Sequence, residues 1–176
     1  MVRTWAGLSI ARFRFRKTHD EVISFVNAFS SARTVLLIMP LDRAHRFPAV
    51  SVLELLTRKF REDNITVVTD EQDLQTAHLL PHSSHERILL SEVSLFSLPK
   101  KKLMARIAAH TYDLAIDLNL DLVLPSAYIC KASAARVRIG FNRKRADRFF
   151  NFLVQPDPAL DRKKVYDRLV RCLQMF

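Results

Sequence analysis

Glycine is nearly absent from this chain: only Gly7 and Gly140 occur in 176 residues. That scarcity excludes the Gly-rich phosphate cradles of Walker and dinucleotide-fingerprint type, because each needs several backbone positions that only glycine permits. Cysteine is equally scarce. Cys130 and Cys172 are too few and too far apart for a disulfide framework, so both read as reduced, buried thiols of a cytosolic protein. No apolar run approaches the ~20 residues that span a bilayer. Arg12, Arg14, Arg16 and Lys17 interrupt any signal-peptide core near the N-terminus, and the chain reads as soluble. Metal-ligand spacing is missing too. His78, His82 and His85 cluster, but Pro81 breaks the helical spacing of the first two, and no Cys or carboxylate completes a ligand set. These histidines read as solvated, and neither a metal nor a cofactor is expected. No nucleophile elbow announces Ser-His-Asp chemistry either.

Positive charge is plentiful. Lys and Arg number 28 against 18 Asp and Glu, a formal net charge of +10. Such a field attracts polyanions: nucleic acid, anionic lipid headgroups or phosphorylated sugars. The alternative is a basic surface with no dedicated partner. The apolar fraction of 49% and charged fraction of 26% are those of an ordinary globular protein, and the length fits one domain. Residues 1–33 stand apart as a basic N-terminal extension. Ala11 to Lys17 alternates Arg with Phe, which suits either a membrane-surface or nucleic-acid contact, or an added edge strand or helix with solvated arginines. Thr18 or Asp20 then stands where it would cap a helix with apolar positions Val22, Ile23, Val26 and Phe29.

From Thr34 onward, strand and helix patterns alternate. Val35 to Met39 is a continuous apolar run, as in a strand buried on both faces. The periodicity predicts a helix over Val50–Phe60, a strand at Ile65–Val68, a short helix over Glu71–Leu80 and a strand at Arg87–Leu90. A helix over Lys100–His110, a strand at Leu114–Asp117, a helix over Leu122–Ala132 and a strand at Arg136–Ile139 follow. Residues 160–174 close the chain as a helix, after a stiff Gln155-Pro156-Asp157-Pro158 turn. Short connections between alternating elements argue for an α/β fold, a parallel sheet with helices on both faces.

Two blocks carry the most information. Tyr112-Asp113-Leu114-Ala115-Ile116-Asp117-Leu118 followed by Asn119 reads as a strand that delivers Asp117 and Asn119 to its carboxyl end, where open α/β sheets bind ligands. Arg138-Ile139-Gly140-Phe141 follows about one helix later. These blocks, the early strand at Val35–Met39, the Pro48-Ala49 pair and the Val154-Gln155-Pro156 stretch occur in an order that resembles the N-terminal half of the heptosyltransferases, glycosyltransferase family 9. The resemblance covers residues 34–175. It implies a Rossmann-like domain forming one half of a GT-B glycosyltransferase, here spanning residues 34–176.

The resemblance also implies where chemistry would lie. Family members follow the first strand with a longer loop whose Gly-Asp supplies the base that activates the acceptor hydroxyl. Here the stretch is Pro40-Leu41-Asp42-Arg43-Ala44-His45-Arg46-Phe47, shorter and without glycine, so Asp42 and His45 become the candidates for that role. A base must come within ~3 Å of the hydroxyl it deprotonates, which a short loop opposes. Asp117, Asn119 and Asp121 are candidates for hydrogen-bonding a sugar, with capping or loop-ordering as the alternative. Lys100 and Lys101, with Lys102, suit either an acceptor phosphate or a solvated first helical turn. Arg143-Lys144-Arg145, with Arg148, Phe149 and Phe150, suits either phosphate and base contacts or a basic exposed face over inward-packed aromatics.

The family binds its nucleotide-sugar donor mainly in a second domain, which this reading leaves out. The expectation is therefore a glycosyltransferase-like domain of lipopolysaccharide biosynthesis that is catalytically impaired or dependent on a donor-domain partner chain. Self-association and an anionic sugar or lipid headgroup are further expected partners, and nucleic acid a weaker one. The implied location is cytoplasmic or peripheral to the inner membrane. The alternative is a non-enzymatic interaction or assembly module that binds an anionic partner through its basic surface.

Overall fold

The computed structural model describes residues 2–18, 24–73 and 75–176. Among them, six strands form one all-parallel sheet in the order β3-β2-β1-β4-β5-β6. The strands are β1 (Val35–Ile38), β2 (Ile65–Asp70), β3 (Ser84–Ile88), β4 (Leu114–Asp117), β5 (Val137–Phe141) and β6 (Phe152–Val154). The helices are α1 (Val2–Arg14), α2 (Phe25–Ser31), α3 (Arg43–Lys59), α4 (Gln75–Leu79), α5 (Lys101–Ile107), α6 (Leu124–Ala132) and α7 (Arg162–Gln174). This is the doubly wound, Rossmann-like arrangement that the alternating pattern predicted, with the strand order reversing between β1 and β4.

The central strands are apolar on both sides because both sides are covered. Leu37, Met39, Leu114, Ile116, Leu118, Val137, Ile139 and Phe141 pack against α2, α3 and α7 through Phe29, Val52, Leu56, Tyr166 and Leu169. Leu36, Ile38 and Ala115 point the other way, onto α1, α5 and α6 through Leu8, Leu103, Ile107 and Ile129. Each layer thus receives every second strand residue, as the pleat requires.

Several elements differ from expectation. Helix α3 begins at Arg43 instead of Val50, because Asp42 caps it: Asp42 Oδ1 accepts the Ala44 amide at 2.9 Å. Pro48 then lies inside the helix, where it cannot donate to the Ala44 carbonyl. Strand β3 runs Ser84–Ile88 instead of Arg87–Leu90. It is an edge strand, so Ser84, His85 and Glu86 need only be half-buried, and the apolar run that marked the later span lies mostly past it. Strand β6, at the opposite edge, is three residues long and was not expected. Helix α4 is shorter than Glu71–Leu80, since Asp70 and Asp73 form turns by accepting the amides of Gln72 and Thr76.

The N-terminal segment contributes α1 and α2, both packed on the domain. Leu8 and Ala11 of α1 and Ala28 and Phe29 of α2 are buried, and Phe25 stacks on Phe152 at 4.0 Å. Asp20, Val22 and Ile23 lie outside the described residues; Thr18 donates its hydroxyl to the Phe15 carbonyl. Neither glycine serves a turn, because neither has positive φ. A Cβ at Gly7 would sit 2.0 Å from the Phe96 carbonyl oxygen, and one at Gly140 would sit 2.8 Å from the Phe150 ring. Both are close-approach positions. The left-handed positions fall instead on Ser97, Ala134 and Arg145.

Candidate functional site

The carboxyl ends of β1 and β4 flank the point where strand order reverses, the usual ligand crevice of this architecture. Here that point is filled by a closed polar network. Asp117, last residue of β4, is 3% exposed. Its Oδ2 accepts the Ser126 hydroxyl at 2.7 Å, and its Oδ1 accepts the backbone amide and side-chain Nδ2 of Asn119 at 3.0 and 2.7 Å. Asn119 Oδ1 in turn accepts the Leu41 amide at 2.9 Å, tying β4 to the turn after β1. Tyr166 of α7 donates its hydroxyl to the Leu118 carbonyl at 2.7 Å. Burial pushes the Asp117 carboxyl up to about 6, against the hydrogen bonds of Asn119 and Ser126, which favour the ionised form.

The other aspartate of the same block behaves in the opposite way. Burial would raise Asp113, but its Oδ2 accepts the Arg33 and Thr34 amides at 2.7 and 3.0 Å, and these hold its carboxyl below the usual range. Asp113 thereby fastens the amino end of β4 to the entry of β1.

The remaining predicted residues are dispersed. Asp42 is capped onto α3 with its side chain 58% exposed, and its Oδ2 lies 3.7 Å from Nε2 of the buried His45. Asp121 is exposed beyond β4, with Arg143 Nε 3.7 Å away. Lys100 and Lys101 are exposed at the start of α5, in the layer opposite α3 and α7. The structure therefore brings Asp117 and Asn119 together, pairs Asp42 with His45, and leaves the lysines on the other layer.

Three features were not anticipated. Ser126 completes the Asp117 network from α6, and nothing at nine residues' separation signals it. Arg46 bridges the loops after β1 and β2, pairing with Asp70, approaching Asp73 at 3.8 Å, and donating Nε to the Pro40 carbonyl at 3.2 Å. Finally, a pocket of about 260 Å³ opens past β4, β5 and β6, lined by Leu120, Arg143, Gln155, Asp157, Arg162 and Val165. It combines two guanidiniums, the Asp157 carboxylate, a carboxamide and an apolar wall, and Asp121 lies 3.7 Å from the Arg143 guanidinium. Among the described residues, no group of three or more His, Cys, Asp or Glu side chains could hold a metal ion.

The model of a family of unknown function (DUF6913) matches residues 10–176. No curated protein matches the chain by sequence. Among solved structures, the E. coli heptosyltransferase WaaC with ADP is similar at a TM-score of 0.57 and 18% identity, over 79% of this chain and 46% of that one. The same enzyme with ADP-2-deoxy-2-fluoro heptose gives a TM-score of 0.59 at 16% identity, over 82% and 49%. The chain thus spans about half the length of the solved structures it matches, and the likeness establishes a glycosyltransferase-like fold.

Proposed function

We propose that this chain, which belongs to the DUF6913 family of unknown function, is a heptosyltransferase-related domain that binds an anionic sugar and transfers no sugar without a partner chain. On this reading residues 34–176 are the acceptor-side domain and residues 1–33 a basic extension to it. The observation that carries it is the pocket at the carboxyl edge of the sheet, where Arg143 and Arg162 flank an opening of about 260 Å³. A guanidinium pair recognises a sugar phosphate or carboxylate by charge and fork geometry.

Two facts support the catalytic half of the reading. The carboxylate standing where the resemblance places the base, Asp42, caps a helix that starts at the very next residue. The backbone that would carry a base over the crevice is wound into α3 instead, which limits its reach. The Asp117 and Asn119 polar groups are spent on Ser126, Leu41 and each other. They position the crevice wall, and binding falls to the arginines.

Calorimetric titration with glucose 6-phosphate tests the pocket. Binding is expected, weakening at least about tenfold in Arg143→Glu/Arg162→Glu, as loss of charge-assisted bonds requires. Equal affinity for glucose and glucose 6-phosphate, or an unchanged double variant, would overturn it.

A further inference from the structure

Helix α1 buries one face and leaves another that is unusual for a surface helix. Leu8 and Ala11 face the core, and Gly7 lets the helix backbone approach the Phe96 carbonyl. On the opposite side Trp5, Ile10 and Phe13 are 59%, 43% and 65% exposed. Arg12, Arg14, Arg16 and Lys17 are exposed around them. Beside this row lies a pocket of about 230 Å³ whose floor is Ala11, Phe15 and Phe149 and whose rim is Arg12, Arg16 and Arg148. Among the described residues no carboxylate pairs with any of these arginines; the nearby Asp147 makes no ion pair with them.

A surface with three outward apolar side chains, a cluster of unpaired guanidiniums and an apolar-floored pocket matches one kind of partner. We propose that α1 docks the domain on an anionic phospholipid bilayer. Trp5, Ile10 and Phe13 enter the headgroup boundary, and Arg12, Arg16 and Arg148 hold lipid phosphates. A convex helix suits a plane of lipid, and Trp with flanking Arg is the usual composition of interfacial segments. The net charge of +10 adds attraction to such a surface.

Two other partners fit less well. Base stacking needs open ring faces, but the Arg145 guanidinium covers Trp5 at 3.9 Å and that of Arg16 covers Phe13 at 4.1 Å. Even so, both residues stay more than half exposed. A second copy of the chain would bring the same unpaired cations face to face.

Trp5 is the sole tryptophan, so its emission reports this face alone. Vesicles of phosphatidylcholine containing one-third phosphatidylglycerol should co-sediment the protein and shift its emission to the blue. Pure phosphatidylcholine should do neither. Arg12→Glu/Arg16→Glu/Arg148→Glu should cut partitioning at least about tenfold, given about tenfold per 1.4 kcal/mol and roughly 1 kcal/mol per cation near such a surface. Phe13→Ser should cut it less, with circular dichroism confirming that both variants keep the helical content of the parent. Sedimentation without an emission shift, an unchanged triple variant, or no sedimentation would each overturn the proposal. So would a saturable shift with single-stranded RNA instead of vesicles, or a shift that appears on concentrating the protein alone.

Discussion

The end of β4 and the outer face of α1 are both rich in charged and polar groups, yet they treat them in opposite ways. At the end of β4 each polar atom of Asp117 and Asn119 that is named in the network has a protein partner within 3.3 Å, and the carboxylate is almost wholly buried. On α1 and just past it Arg12, Arg14 and Arg16 are exposed and pair with no carboxylate among the described residues, and large apolar side chains face outward beside them. A closed network has met its own needs and serves the fold; an open one has capacity left for a partner. The motif that most plainly announces the architecture is therefore a poor guide to what the protein binds.

Titrating Asp117 is the strongest way to break that contrast. Its carboxyl titrates near 6 in the fold, above the ordinary value near 4, so burial favours the protonated form. The associated stability is full below about pH 4 and is lost as pH rises through about 6, a change of about 3 kcal/mol. Urea unfolding at pH 4 and pH 7 should show this loss in the wild type, and Asp117→Asn should abolish its share. An identical pH dependence in both proteins would mean that Asp117 is not held in a dry, closed network.

Gly140→Ala comes next. Its Cβ would press on the buried Phe150 ring at 2.8 Å, and overpacking of this kind costs about 2 kcal/mol, read as a lower urea midpoint with unchanged slope. The matching change on the other region, Gly7→Ala, would collide with the Phe96 carbonyl at 2.0 Å. It should loosen α1 while the sheet core keeps its hydrogen-exchange protection, separating the two regions experimentally. Asn119→Ala should cost about 1–2 kcal/mol by stranding the Leu41 amide, with faster exchange at that amide as its signature. The smallest effect is a gain. Ala134 follows α6 with φ 57°, a left-handed position, so Ala134→Gly should stabilise by up to about 1 kcal/mol in the same unfolding assay.

How much of this was legible depended on burial. Strands β1 and β4 stood out because a strand covered on both faces must be apolar throughout, and β4 falls on the residues expected. The edge strand β3 was shifted, since an edge needs neither alternation nor a continuous apolar run, and β6 was unseen because three residues are too few to set a period. The early start of α3 was hidden by Pro48, which usually marks a helix beginning and here lies six residues past the Asp42 cap. The Arg-Phe alternation before Lys17 has a strand's period, but Leu8, Ala11 and Phe15 supply the helical stripe that packing selects. Asp117 and Asn119 were found because they end a clear strand. The pocket of Arg143, Gln155 and Arg162 was not, because three segments separated in sequence build it and only the sheet brings them together.

Turnover is the most direct test of whether the turn after β1 carries a working base. The purified chain is incubated with ADP-heptose and a phosphorylated sugar, and released ADP is measured for the wild type and Asp42→Asn. Release no faster than in buffer is expected for both proteins. ADP release by the wild type that Asp42→Asn abolishes would show a working base on the β1 turn, and would contradict that expectation.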